Sequence, residues 1–246
     1  MKHYRLLLLI AAALVAASAA LYGLHYAVFG DAHHIWIYLL GDIAFLPIDV
    51  LLVGLVLERM LSWHERRERL HKMNMVIGVF FSELGTRLLG DLAPAVENMD
   101  ALRPHLALGA AWKGPDYRRA VETVVAAECA VRPDRLDLPA LKALLSAQRP
   151  MLVMLLANPN LMEHERFTDL LWAVFHLMEE LAARPSLDDL PPKDLEHLAG
   201  DVKRVFGQLA AEWLRYCRHL HQAYPYIHSI VVRTHPFQER PEARVK

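Results

Sequence analysis

Two long apolar runs close to the N-terminus constrain this chain more than anything else in it. Residues 6–29 contain no Lys, Arg, Asp or Glu, and residues 35–57 are apolar apart from Asp42 and Asp49. A helix rises ~1.5 Å per residue, so roughly 20 apolar residues cover the ~30 Å hydrocarbon core of a bilayer. Both runs are long enough. The expected architecture is all-α, with a transmembrane hairpin over residues 1–60 and a cytoplasmic helical bundle over residues 61–246. Apolar residues make up 54% of the 246, above the ~45–50% usual for soluble domains, and the two runs hold the excess.

Basic residues set the expected orientation. Lys2 and Arg5 precede the first run, the connection around Gly30, Asp31, His33 and His34 holds no Lys or Arg, and Arg59, Arg66, Arg67, Arg69 and Lys72 follow the second. Both termini are then cytoplasmic, in what reads as a bacterial inner membrane. Lys2 and Arg5, the stretch Leu6 to Val15 and the sequence Ala17-Ser18-Ala19 also have the layout of a cleavable signal peptide. The apolar run continues to Phe29, which a removed signal does not need. Ala12, Ala16 and Ala20 recur every four residues and allow close helix packing, so a hairpin is the favoured reading.

An ionisable group at membrane depth costs a few kcal/mol even on permissive scales, which draws attention to Asp42 and Asp49. Seven residues apart, they share one helix face with Ile35 and Val56. An antiparallel first span brings Tyr22 and His25 to the depth of Asp42, whereas Asp49 meets no basic residue there. Pro47 between them frees a backbone carbonyl and is expected to kink the helix. Two readings follow. Several hairpins can assemble with these acids inward to pass cations, or the acids can be neutral and hydrogen-bonded, joining helices.

Past Leu57 the helical signal continues through Glu58 to Lys72 and into Met73 to Leu89, which is apolar around most of its circumference and predicts a buried central helix. Further helices are expected over 92–107, 116–130, 139–157, 162–183 and 192–223, separated by Pro, Gly and Asn breaks. Phe167, Leu170, Leu171, Val174, Met178 and Leu181 form one apolar stripe; Leu195, Leu198, Val202, Val205, Leu209, Trp213, Tyr216 and Leu220 form another. No strand pattern stands out.

The segments Asn74 to Gly78, Tyr224-Pro225-Tyr226 and Arg233 to Phe237 resemble segments of uncharacterised bacterial two-span membrane proteins. The resemblance implies a bacterial membrane setting and no particular chemistry.

Fourteen histidines invite a search for metal-ligand spacings. His64, Glu68 and His71 fall on one face just after the second run, and Asp31, His33 and His34 cluster in the connection. Asp194 with His197, His176 with Glu179 or Glu180, and Cys217 with His221 are also pairable on a helix. None matches a recognised zinc or di-iron signature. The only cysteines, Cys129 and Cys217, lie far apart and suggest neither a disulfide framework nor a thiolate site. A net charge of -1 and the lack of a reading motif argue against nucleic acid as a partner. No phosphate loop, dinucleotide fingerprint or nucleophile elbow occurs, so no cofactor is expected and enzymatic activity has no motif behind it.

The leading expectation is a homo-oligomeric membrane protein whose second spans line a cation-permeable or proton-linked path. The alternatives are a membrane-anchored scaffold or signalling adaptor that binds a cytoplasmic protein, and a membrane-bound metalloenzyme.

Overall fold

The computed structural model describes residues 2–159, 161, 164–238 and 241–244, with the backbone alone at 2–5, 7, 62 and 64–72. The chain divides into two compact units, Met1–Arg66 and Arg67–Lys246.

In the first unit, α1 (Lys2–Phe29) is joined through Gly30 and Asp31 to the start of α2 (Ala32–Phe80). Gly30 takes a φ of 67°, which favours a residue without a Cβ. Asp31 caps α2: its Oδ1 accepts the amide of His33 at 2.9 Å and that of His34 at 3.1 Å. Two stretches, Leu8–Phe29 and Ala32–Leu61, are long and apolar enough to cross a membrane, and none of their most apolar windows is buried. Pro47 lies inside α2 without ending it.

In the second unit, α2 gives way to a π-helical turn (Phe81–Gly85) and then α3 (Thr86–Leu92). A Cβ on Gly85 would fall 2.7 Å from the rings of both Phe80 and Phe81, so the glycine lets these aromatics pack over the turn. Phe80 meets Phe167 edge-on at 5.4 Å, and Phe81 stacks on Tyr216 at 5.1 Å. Met73, Ile77, Phe80, Phe81 and Leu84 are buried, but Met75 and Val79 are 54% and 46% exposed. The segment therefore buries one face and is not the all-round core helix that its composition suggested.

The remaining helices are α4 (Met99–Leu106), α5 (Gly114–Ala126), α6 (Leu138–Ala147), α7 (Arg149–Leu156), α8 (Glu165–Ala183), α9 (Pro192–Ala223) and α10 (Pro225–Thr234). The helix expected over 139–157 breaks at Gln148 into α6 and α7, because Pro150 supplies no amide to the ladder and starts a new helix. The stretch expected as helix over 92–107 instead holds a 3-10 turn at Ala93–Ala95, around Pro94, before α4 begins. Helix α5 stops at Ala126, and the chain beyond it pairs Val131 with Val96, the Glu97 amide donating to the Ala130 carbonyl at 2.9 Å. Helix α10 was not anticipated from the sequence. Among the described residues there is no strand beyond that bridge.

Helix α9 is the axis of this unit, with α8 and α5 packed along it. Its apolar face holds Leu198, Val202, Val205, Phe206, Leu209, Trp213 and Cys217, all fully buried, and α8 answers with Phe167, Leu170, Leu171, Val174, Leu177 and Leu181. On α10, the buried His228 shares a 2.6 Å hydrogen bond with the buried Tyr117 hydroxyl of α5.

Just after α10, His235 packs against Trp213 at 5.6 Å and its Nδ1 accepts the Phe237 amide at 3.2 Å. Burial pushes His235 down from the ordinary 6.5 to about 4, against a smaller opposing pull from the Leu108 carbonyl. The unfolded chain takes up this proton around pH 6.5 and the fold only around pH 4, so stability held above pH 6.5 is lost as pH falls to about 4. The loss is about 3 kcal/mol. Urea unfolding of the detergent-solubilised protein, followed by tryptophan fluorescence, is expected to show this slope, and His235→Phe is expected to flatten it.

Candidate metal centre

The structure brings together four ionisable side chains that lie one helical turn apart in pairs. His176 and Glu180 project from α8, and His197 and Asp201 from α9. His176 Nε2 lies 3.5 Å from Asp201 Oδ2, and His197 Nε2 lies 3.4 Å from the same oxygen. Glu180 stands beside them, its Oε2 3.5 Å from His197 Nε2 and its Oε1 3.9 Å from His176 Nε2. One ligand atom from each of His176, His197 and Asp201 falls within 4.8 Å of the others.

These spacings discriminate between two chemistries. A charge-assisted N–H···O bond closes to ~2.7–2.9 Å, shorter than either His–Asp201 distance. A tetrahedral ion with ~2.0–2.1 Å bonds to nitrogen and oxygen sets neighbouring ligand atoms ~3.3–3.4 Å apart, close to the two His–Asp201 distances. Asp201 is 3% exposed, and its Oδ2 accepts no hydrogen bond. A buried carboxylate oxygen left in that condition is costly, and an ion in the middle of the cluster would satisfy it. Both imidazoles are about half exposed, which leaves a path for an ion to enter.

Arginines hold the carboxylates in place. Arg204 Nη1 donates to Asp201 Oδ1 at 3.0 Å, which leaves Oδ2 turned to the imidazoles. Arg184, just past the end of α8, donates to Glu180 Oε2 at 2.8 Å and grips Asp194 with two bonds at 2.5 and 2.8 Å. The Arg184 guanidinium holds the Glu180 and Asp194 carboxyls below their ordinary ranges. Such outer partners orient ligands and fix their charge.

The pairs singled out in the sequence are redistributed. His197 faces Asp201 and not Asp194, which Arg184 occupies; His176 faces Glu180, whereas Glu179 pairs with Arg149. Cys217 is fully buried, and burial raises its thiol well above the usual range. The His34 amide, aided by that of His33, holds the Asp31 carboxyl below its ordinary range, as befits a helix cap. The side chains of His64, Glu68 and His71 lie outside the described residues. In the hairpin, Tyr22, His25 and Asp42 line one cavity of about 670 Å³ between α1 and α2. Asp49 and Pro47 are not among its lining residues, and Asp49 is exposed.

Asp201 escaped the sequence reading. Its signal was an acid inside an apolar stripe, between Leu198 and Val202, four residues after His197.

An apolar helical hairpin and a helical unit with a histidine–carboxylate cluster define the kind of protein this is. The chain belongs to the MJ1433 family: residues 2–61 match the model described as the MJ1433 N-terminal helical domain, and residues 69–233 match the Uncharacterized protein MJ1433, C-terminal helical domain. It is 38% identical over 240 residues to the Uncharacterized protein MJ1433 of Methanocaldococcus jannaschii, an alignment covering 98% of this chain and 96% of the relative. That relative is archaeal, and the comparisons give no support to the bacterial resemblance drawn from the short segments. No solved structure matches.

A buried ion pair is a weak source of stability, and an apolar side chain of similar volume often does as well. Asp201→Leu, measured in EDTA, is therefore expected to leave the melting temperature unchanged or to raise it. A large drop would mark Asp201 as a structural residue.

Proposed function

We propose that this is a membrane-anchored metal-binding protein, held at a lipid bilayer by its apolar hairpin and carrying one divalent transition-metal ion between α8 and α9. The observation that supports this reading is the pair of imidazole nitrogens 3.4–3.5 Å from the buried, unsatisfied Asp201 oxygen. Two nitrogens and one oxygen suit a zinc-class ion better than magnesium or calcium, which prefer an all-oxygen shell. Three protein ligands leave a fourth position for water, the pattern of a site that activates its ligand. Glu180, kept ionised by Arg184, lies 3.5 Å from His197 Nε2 and would serve as a base beside the bound ion.

The test is calorimetric titration of zinc into the full chain, purified in non-ionic detergent and stripped with EDTA. One site per chain and a rise in melting temperature are expected, with affinity falling as the pH is lowered, because ligating imidazoles must be neutral. His176→Ala or His197→Ala is expected to weaken binding by about two orders of magnitude. Non-stoichiometric zinc, or binding indifferent to both substitutions, would remove the proposal.

Asp49 supports a second reading, the cation-permeable or proton-linked path through a homo-oligomer. It is exposed on an apolar helix, and an acid at membrane depth calls for shelter that neighbouring copies would supply. Cation or proton flux in liposomes is expected to fall at least tenfold in the Asp42→Asn, Asp49→Asn double variant; unchanged flux would count against this reading.

A further inference from the structure

Helix α10 and the tail that follows it lie as a strap against α5 and α9. Tyr224 alone joins the strap to α9, and Pro225 opens the new helix. Of residues 225–238 only His228, Val232, His235 and Phe237 are buried. Half of the side chains that dock the strap are therefore imidazoles.

Neither imidazole has an anion to receive a proton's charge. His228 Nε2 accepts the Tyr117 hydroxyl at 2.6 Å, and burial pushes that hydroxyl up, so it stays protonated and donates. A proton on Nε2 ends that bond. The other ring facing His228 is His221 of α9, 5.0 Å away. Beside Tyr117, Arg118 and Arg218 outnumber Glu122 around a small cavity, Arg215 is paired with Glu212, and Asp116 is held by Arg119. Burial, then His221, push His228 below its ordinary value. His235 faces the rings of Trp213 and Phe237. The charged groups beside the tail, Glu97, Asp100, Arg103 and Arg135, line a cavity with Pro236 and Phe237, two acids against two bases.

Docking is also imperfect. Trp213 Nε1 and His235 Nε2 are buried, and among the described residues neither makes a hydrogen bond of ordinary geometry. Buried polar groups left in that state weaken the docked form, and water would satisfy both on opening.

We propose that the strap is an acid-opened latch: it swings out about Tyr224 as a unit when its imidazoles take up protons, while α8 and α9 keep their packing. Opening uncovers Trp213 and the Tyr117 hydroxyl. His235 takes its proton at the ordinary 6.5 when released and at about 4 when docked, so docking strength present above pH 6.5 is lost as pH falls to about 4. Through His235 alone the open fraction rises about twentyfold between pH 7 and pH 5. The latch uses none of the metal ligands, so it stands without the preceding reading.

The test is hydrogen–deuterium exchange with mass spectrometry on the full chain in non-ionic detergent with EDTA present. It is read as protection factors, which remove the pH dependence of chemical exchange. Peptides over 225–238 are expected to lose at least tenfold in protection from pH 7 to pH 5. At pH 5 they are expected to be at least tenfold less protected than α8 and α9. His235→Phe is expected to remove most of the pH response. The double variant that adds His228→Gln, whose amide oxygen can still accept from Tyr117, is expected to remove all of it. Strap protection indifferent to pH overturns the proposal. So does protection equal to that of α8 and α9, which would mean that the strap leaves only when the whole unit unfolds. A full pH response in His235→Phe or in the double variant overturns it as well.

Discussion

The carboxylate of Asp201, almost wholly withdrawn from water between two long helices, sets the terms for the second unit. One oxygen is neutralised by Arg204; the other looks toward His176 and His197 at distances too long for ordinary hydrogen bonds. An aliphatic side chain at this position would join Leu198 and Val202 in the apolar contact with α8 at no desolvation cost. The packing of α8 on α9 does not need the acid. It holds the acid in a strict place, because Phe167, Leu170, Val174, Leu177 and Leu181 on one helix and Leu198, Val202, Val205 and Leu209 on the other are all fully buried and fix the register.

Away from its apolar face, α9 carries a continuous polar line. His197, Asp201, Arg204, Gln208, Glu212 and Arg215 follow one another at steps of three or four residues, so each is a neighbour of the next. Arg204 belongs to both halves of that line: it donates to Asp201 and also lines a cavity of about 440 Å³ with Gln208, Glu212 and Arg215. Arg166 and Arg215 repeat around Glu212 the arrangement that Arg204 makes with Asp201, a buried acid whose charge is answered from the helix surface.

Much of the fold could be read from residue spacing, because helical periodicity is a local signal. The stripe from Phe167 to Leu181 is buried as its period required, and α9 runs over the residues, 192–223, that Pro192 and the apolar spacing marked out. Local reading failed where the competing signal was subtle. Pro150 divides what looked like one helix, and the strip after Ala126 leaves the helix to pair with Val96. The histidine–carboxylate cluster was harder to see, since 25 residues of sequence separate His176 from Asp201 and only the antiparallel packing of α8 on α9 brings them together. Each half was visible as a pairable spacing; which halves meet is a tertiary fact. The hairpin's apolar character was evident from composition, and the structure adds that the most apolar windows of both helices are entirely unburied.

The connection of that hairpin is only two residues long, Gly30 and Asp31, with the second already serving as a cap. So short a link acts as a phase setter. Each residue added to the beginning of α2 would rotate everything after it by ~100° and lift it by ~1.5 Å, turning Asp42 away from the cavity it shares with Tyr22 and His25. An insertion of about seven residues, close to two full turns, is the shortest that returns the angle to within ~20°, and it would do so ~10 Å further along the axis. Length variation in this hairpin is therefore quantised by the helix itself.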